Sequence, residues 1–448
     1  MLVIYNFILL LLLPFILLLL AKEGKKGNRK FFRWGEYFGR TPAPISKGIA
    51  VKKKPIWIHA VSVGECMVAI PIIKELKANN PNQSIVVTTT TTTGATYIES
   101  LGDLVEHRYM PTDFGFAIRR FLKTVSPKAL FIIETELWPN TLHNVAKTNI
   151  PIVIVNARLS EKSKNSYAKV KPLFQKMSQC ITQIICQSPD DKIRFIELGV
   201  NKEKLSVSGS IKYDISIPDD IAPLASSLRA KLGETRPVWI ASSTHKGEDE
   251  ILLQAHQLLL KKCPNALLII VPRHPERFDK VYTLSSEFFT TIRRTSKDKA
   301  ITSAQVYLAD TMGEMLMLLS SADVCFMGGS LLGDKVGGHN MLEPAAVGLP
   351  TITGPSYYNF KDIANKLIEE KALNVCSSPI DISEKLYQLF TDSSIYNRMK
   401  DGAKKVVREN QGALENSISI IQNILSTSAQ RNKIPEKVIK ITTNQSKK

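Results

Sequence analysis

The sequence predicts an α/β protein with two doubly wound parallel sheets. Three observations predict it. From Pro55 onward, short apolar runs of strand length alternate with longer helical patterns, which is the rhythm of βαβ units. That rhythm stops at a polar, proline-containing stretch, Ile215–Arg229, and then restarts. The chain has 448 residues, a length that favours two domains over one.

Taken in order, residues 2–21 come first and are apolar except at Asn6 and Pro14. About 20 such residues match one bilayer crossing. Lys22, Lys25, Lys26, Arg29, Lys30 and Arg33 follow, with no small-residue cleavage site. A signal peptide carries its charge before the apolar core, not after it. The expectation is a single-pass anchor with the body on the cytoplasmic side. Phe31, Phe32, Trp34, Tyr37 and Phe38, mixed with basic residues, suit the headgroup zone.

The first domain is expected over 22–214. Its strands are read at Ile56–Ala60, Ser84–Thr90, Ala129–Ile133, Ile152–Asn156 and Gln183–Gln187, with a helix from Glu65 to Asn79. Residues 215–229 read as a linker. The second domain is expected over 230–427, with strands at Val238–Ser242, Ala266–Pro272, Gln305–Ala309, Asp323–Met327 and Pro350–Thr353. Residues 428–448 are polar and basic and are expected to be disordered.

Lys plus Arg is 59 against 41 Asp plus Glu, a net charge of +18. This suits an anionic membrane surface, a polyanionic substrate or nucleic acid. The aromatic residues are not interleaved with basic ones on a sheet face, as a single-strand binder needs. The six cysteines are scattered, with no CxxC pair; they read as reduced core thiols and offer no zinc spacing.

The unusual residues gather where strands end. Ser62 and Glu65 have the spacing of a capping box, and Glu65 is equally placed to accept a proton at the sheet's carboxyl edge. Glu134 and Glu136 follow the strand Ala129–Ile133, one directed at the loop and the other away; paired metal ligation there is an open alternative. Lys212 closes the first domain and could meet a carboxylate or phosphate. Arg273, between Pro272 and Pro275, is held in the manner of a phosphate clamp. Gly313 precedes a helix. Gly328–Pro344 carries two Gly-Gly pairs between a strand and a helix, which suits an anion and ribose site or close packing alone. Glu343 lies on the first turn of that helix.

The motifs SVGE (62–65), ETELWPN (134–140), NARLS (156–160), GSIKYD (209–214), PRHPERF (272–278), DTMGE (310–314), GGS (328–330) and GGHNMLEP (337–344) stand in one order. Together they resemble the 3-deoxy-D-manno-octulosonic acid (Kdo) transferases, from about Arg33 to Asn423. The resemblance implies a GT-B fold, two Rossmann-like domains facing a cleft. It implies inverting transfer of Kdo from CMP-Kdo to the lipid A precursor lipid IVA, at the inner membrane, without metal, cofactor or nucleic acid. By carry-over, Glu65 matches the general base, and Glu134 and Lys212 match groups that stabilise the transition state. Pro272, Arg273, Met312, Gly313, Glu314, Asn340, Met341, Leu342 and Glu343 match the CMP-contacting segments. Two readings compete: another GT-B sugar-nucleotide enzyme, and a membrane-tethered basic lipid- or nucleic-acid-binding protein without catalysis.

Overall fold

The computed structural model describes residues 1–25, 33–44, 54–296 and 301–431. Phe31, Phe32 and the basic residues at 26, 29 and 30, like residues 432–448 of the expected tail, lie outside these. The chain divides into two units: Met1–Lys212 together with Gln411–Lys448, and Tyr213–Asn410.

The N-terminal unit holds a sheet of strands β1 (Ile56–His59), β2 (Ile85–Thr89), β3 (Glu106–Tyr109), β4 (Ala129–Ile133), β5 (Ile152–Ala157), β6 (Gln183–Cys186) and β7 (Leu205–Val207), in the order β3-β2-β1-β4-β5-β6-β7. Every pair is parallel; Ile56, for example, pairs with Ile85 on one side and Ala129 on the other. Alternate residues feed opposite faces. Trp57, Leu130, Ile132 and Ile154 join one core. Ile56, Ile58, Phe131 and Ile133 join the other, against the helix Val63–Asn79. Ala413, Ile418 and Ile421 of the final helix, Ala413–Arg431, complete that second core. The last helix therefore belongs to the N-terminal unit. Gly412, at φ +93°, breaks it from the preceding helix, Ser393–Asn410, in a conformation that suits glycine. Residues 428–431, read as the start of a disordered tail, are the end of this helix.

The C-terminal unit repeats the plan with β8 (Val238–Thr244), β9 (Leu267–Pro272), β10 (Thr291–Arg293), β11 (Val306–Leu308), β12 (Val324–Met327), β13 (Thr351–Thr353) and β14 (Leu373–Val375), ordered β10-β11-β9-β8-β12-β13-β14. Its faces are packed in the same alternation, with Ile240 and Ile269 on one side and Trp239 and Ile270 on the other. The stretch read as a linker contains most of a helix, Ile221–Leu232. Ala225, Leu228 and Leu232 bury its apolar face in this unit's core. The threonine run also has a structural account. Thr88 accepts from the Trp57 indole at 2.8 Å, and Thr91 caps the helix Thr92–Glu99.

Two core histidines make a testable pair. His256 is fully buried; it accepts from the Trp239 indole at Nδ1 (3.2 Å) and its Nε2 donates to the Gln305 carbonyl (2.9 Å). Protonating Nδ1 would set one N–H against another. Burial pushes His256 down to about 4, and His59 likewise. In the window between about 6.5 and 4 the unfolded chain therefore binds more protons. The stability these groups contribute is complete above that window and lost as pH falls through it. Melting followed by circular dichroism is expected to show Tm falling from pH 6.5 to 4. In His256→Gln, which keeps both hydrogen bonds without titrating, the fall is expected to be shallower; an unchanged slope would contradict this assignment.

Candidate active site

In the N-terminal sheet, β1 and β4 are neighbours where the strand order reverses, the point at which such sheets bind ligands. Glu65 sits on the first helical turn after β1 and is 7% exposed. Its carboxylate accepts from the Val61 N–H at 2.7 Å and the Ser62 hydroxyl at 3.1 Å. Ser62 is at the N-cap but makes no side-chain cap to the helix. Neither bond of a capping box is therefore made, and the Val61 N–H and Ser62 hydroxyl converge on Glu65 instead. Burial, with the charges of Glu136 and Glu134 added to it, pushes Glu65 up to about 7 against the opposing Val61 and Ser62 hydrogen bonds.

Glu134 ends β4 in the left-handed region, φ +59°, an uncommon conformation for a residue with a side chain. Its N–H still reaches the Val155 carbonyl at 2.9 Å. The carboxylate pairs with Lys212 Nζ at 2.7 Å. Lys212 lies on a short turn, Ile211–Tyr213, pinned where the Ile211 N–H donates to Asn156 Oδ1 at 3.0 Å. Glu136 lies close enough to this group for its charge to raise Glu65. The left-handed Glu134 breaks the alternation, and of the two carboxylates Glu136 acts the more strongly on Glu65. Burial and Glu134 raise Glu136 as well. Three carboxylates with one lysine among them leave Glu65 able to take up a proton near neutrality.

In the C-terminal sheet the reversal falls between β8 and β12. Gly328 follows β12 so closely against β8 that a Cβ would lie 2.8 Å from the Ser242 and Ser243 carbonyl oxygens. The amides of Gly329, Ser330 and Leu331 do not form an open anion cradle. Glu248, fully buried, accepts from all three at 2.7, 2.9 and 3.0 Å, and from the His245 N–H at 3.0 Å. The helix after the loop is short, Leu342–Ala346, and its first N–H is taken by Asn340 Oδ1 at 3.1 Å.

Around this loop, His245 and His339 meet through their Nε2 atoms at 2.8 Å, and His274 packs edge-on to His245. Burial, with the charge of Arg273 and the neighbouring imidazoles, holds His339 down to about 4. Among the described residues the Arg273 side chain has no hydrogen-bond or ion-pair partner. Its charge acts on His339, His245 and Glu343. Arg277, by contrast, is committed to Asp249 and the Thr244 carbonyl.

The comparisons with known proteins agree with one another. A family profile described as 3-deoxy-D-manno-octulosonic-acid transferase matches residues 32–215, and one for glycosyl transferases group 1 matches 236–406. The chain is 40% identical to the 3-deoxy-D-manno-octulosonic acid transferase of Haemophilus influenzae, over 93% of this chain and 96% of that one. It is 29% identical to the enzyme of the same name from Bordetella pertussis, over 88% and 91%. The chain belongs to the Kdo transferase family. It is an enzyme, a glycosyltransferase, so the reading as a non-catalytic basic binder falls. Among solved structures, a UDP-GlcNAc 2-epimerase from Neisseria meningitidis aligns with TM-score 0.53 at 14% identity, over 83% of this chain and 100% of that one. A glycosyltransferase from Rickettsia africae aligns with TM-score 0.51 at 12% identity, over 85% and 99%. These two show the GT-B fold and nothing finer.

In this Kdo transferase, Glu65, Glu134 and Lys212 belong to one cluster of the N-terminal unit. Pro272 ends β9, and Arg273, Asn340 and Glu343 share one neighbourhood of the C-terminal unit, with Asn340 3.4 Å from the Glu343 carboxylate. Met341 and Leu342 have their side chains in the core, so only their backbone remains for a ligand. Glu314 is held bidentately by Arg294 at 2.8 and 3.0 Å, which leaves exposed Met312 and Gly313 as the open part of that strand end. Sequence reading missed Glu248 and the His245–His339 pair. Their roles depend on contacts across 81–94 residues that no local spacing signals.

Proposed function

We propose that this Kdo transferase moves Kdo from CMP-Kdo to lipid IVA in lipopolysaccharide synthesis, with inversion at the anomeric carbon. The observation that carries the reading is Glu65, a buried carboxylate at the carboxyl end of β1 with its pKa lifted to about 7. A base with that pKa is poised near the working pH. Glu65 takes the proton of the acceptor hydroxyl. The hydroxyl oxygen bonds to the anomeric carbon as the bond from that carbon to the CMP phosphate oxygen breaks. The electron pair leaves with the phosphate, and CMP departs. Arg273 meets the phosphate charge; the Glu343 carboxylate accepts hydrogen bonds from the ribose hydroxyls and the Asn340 amide donates to them; Met312 and Gly313 border the nucleotide. The Glu134–Lys212 pair fixes the charge around Glu65 as the proton arrives.

A single phosphate asks for less neutralising charge than a diphosphate, and an arginine supplies it without a metal. The apolar segment 2–21 attaches the enzyme to the inner membrane, where its lipid acceptor resides, with the body on the cytoplasmic side. The test is transfer from CMP-Kdo to lipid IVA in detergent with chelator present. The mass of the product and the anomeric configuration by NMR are the readouts. Retention of configuration, or loss of activity on chelation, would overturn the mechanism; no transfer from CMP-Kdo would overturn the donor.

A further inference from the structure

The first helix, Leu2–Lys25, is apolar as far as Ala21 except for Tyr5 and Asn6 near its start. Both are hydrogen-bonded to the body of the N-terminal unit. The Tyr5 hydroxyl donates to Asp113 at 2.9 Å, and Asn140 Nδ2 donates to Asn6 Oδ1 at 2.6 Å. Asp113 is a buried anchor point. It also accepts from the Asn140 N–H, the Thr141 N–H and the Thr141 hydroxyl, at 2.9, 2.7 and 2.7 Å, which caps the helix Pro139–Ala146. Leu2, Tyr5, Leu9 and Leu13, at helical spacing, are half-buried, whereas Val3, Phe7, Leu11 and Leu18 are 61–80% exposed.

These contacts bear on topology. In a crossing helix whose charged flank starts at Lys22, Tyr5 would lie about 25 Å from that flank, at the far face of the bilayer. A residue there cannot bond a body that stays on the near side.

We infer that the N-terminal helix lies in the membrane plane, pinned to the catalytic body by Tyr5–Asp113 and Asn6–Asn140, with its outer side in the acyl region of one leaflet. The inference rests on membrane attachment and replaces the single crossing expected from sequence. The occupant of the exposed face is the lipid bilayer, on three grounds. Apart from Asn6, which bonds Asn140, the exposed side chains described on this helix are apolar, and both polar groups near its start have partners on the body. The chain that follows supplies lysines and arginines for anionic headgroups. The pinned site also adjoins an aromatic and basic groove lined by Trp34, Phe38, Arg40, Phe116 and Arg120. Asp113 leads into the helix that bears Phe116 and Arg120, and the Arg120 guanidinium sits over the Phe116 ring at 5.4 Å. Asp113 and Asn140 follow β3 and β4 at the carboxyl edge that also carries Glu134. The pins thus hold the bilayer against the edge where the acceptor hydroxyl is deprotonated.

An epitope tag placed before Met1 of the full chain tests the topology. After fractionation, protease is applied to right-side-out spheroplasts and to inside-out vesicles. The pinned helix gives a tag cut only in inside-out vesicles, where the body is cut too. A tag cut in spheroplasts while the body is protected means a crossing and overturns the inference. Recovery of the enzyme in the soluble fraction would instead refute membrane attachment. The double variant Tyr5→Phe, Asn6→Leu is expected to raise KM for lipid IVA in vesicles roughly tenfold, to leave KM for CMP-Kdo unchanged, and to leave detergent-dispersed turnover intact. Wild-type KM for vesicle-bound acceptor would show that the pins hold nothing in place.

Discussion

Glu65→Gln is expected to lower transfer about 10²–10⁴-fold, the usual cost of removing a general base, and to raise thermal stability. Both effects come from one environment. Burial and two neighbouring carboxylates lift the carboxyl to about 7 from an ordinary value of 4.5. The folded protein therefore binds a proton that the unfolded chain releases, so between pH 4.5 and 7 stability falls as pH rises. Above that window the ionised group destabilises the fold by on the order of 3 kcal/mol. Glutamine keeps an oxygen to accept from Val61 and Ser62 without the charge. Calorimetry is expected to show a Tm several degrees above wild type at pH 8 and no difference near pH 4. CMP binding, which the proposed mechanism assigns to the C-terminal unit, is expected to be unchanged. The rate of the wild-type enzyme should rise with pH through about 7 on a limb that the variant lacks. A variant turning over near the wild-type rate would reduce Glu65 to a residue that only shapes the start of its helix.

The interior of both sheets was legible because each inner strand is a continuous apolar run. Ile56–His59, Ala129–Ile133 and Leu267–Pro272 are buried on both faces, as strands covered by helices on both sides must be. The strands that escaped sequence reading are β3, β7, β10 and β14, the four edges of the two sheets. Three of them have only three residues, and β3 is Glu-His-Arg-Tyr; edges are short and polar because their outer side has no partner. The linker reading failed at Ile221–Leu232 because Pro218 and Pro223 suggested an irregular segment. Pro223 lies in the first turn, where a proline costs the helix no hydrogen bond. Glu65, Glu134 and Lys212 were visible as charged residues at the ends of apolar runs. The left-handed turn at Glu134, which brings Glu136 to act on Glu65, was not, since no glycine marks it.

The second large effect is expected at Glu248, a residue the motif reading passed over. Glu248→Ala removes the acceptor of four backbone N–H groups: those of Gly329, Ser330, Leu331 and His245. The site is fully buried, so water cannot replace the carboxylate without opening the loop. Each buried donor left unpaired costs about 1–3 kcal/mol, and the loop relaxes until most of them find other partners. A net loss of roughly 3–5 kcal/mol places this among the severe single substitutions. For a unit of this size, that lowers Tm by about 6–20 °C. Glu248→Gln keeps one acceptor oxygen but turns an amide NH₂ toward the other donors, so an intermediate loss is expected. The functional consequence follows from where the loop lies. It joins β12 to the segment that carries His339, Asn340 and Glu343, and a Cβ on Gly329 would lie 2.8 Å from the His339 ring. Loosening the loop therefore displaces the residues proposed to meet the nucleotide, and CMP affinity should fall in step with stability across the Ala and Gln variants. Wild-type melting in Glu248→Ala would show that the Glu248 carboxylate does not hold this loop in place.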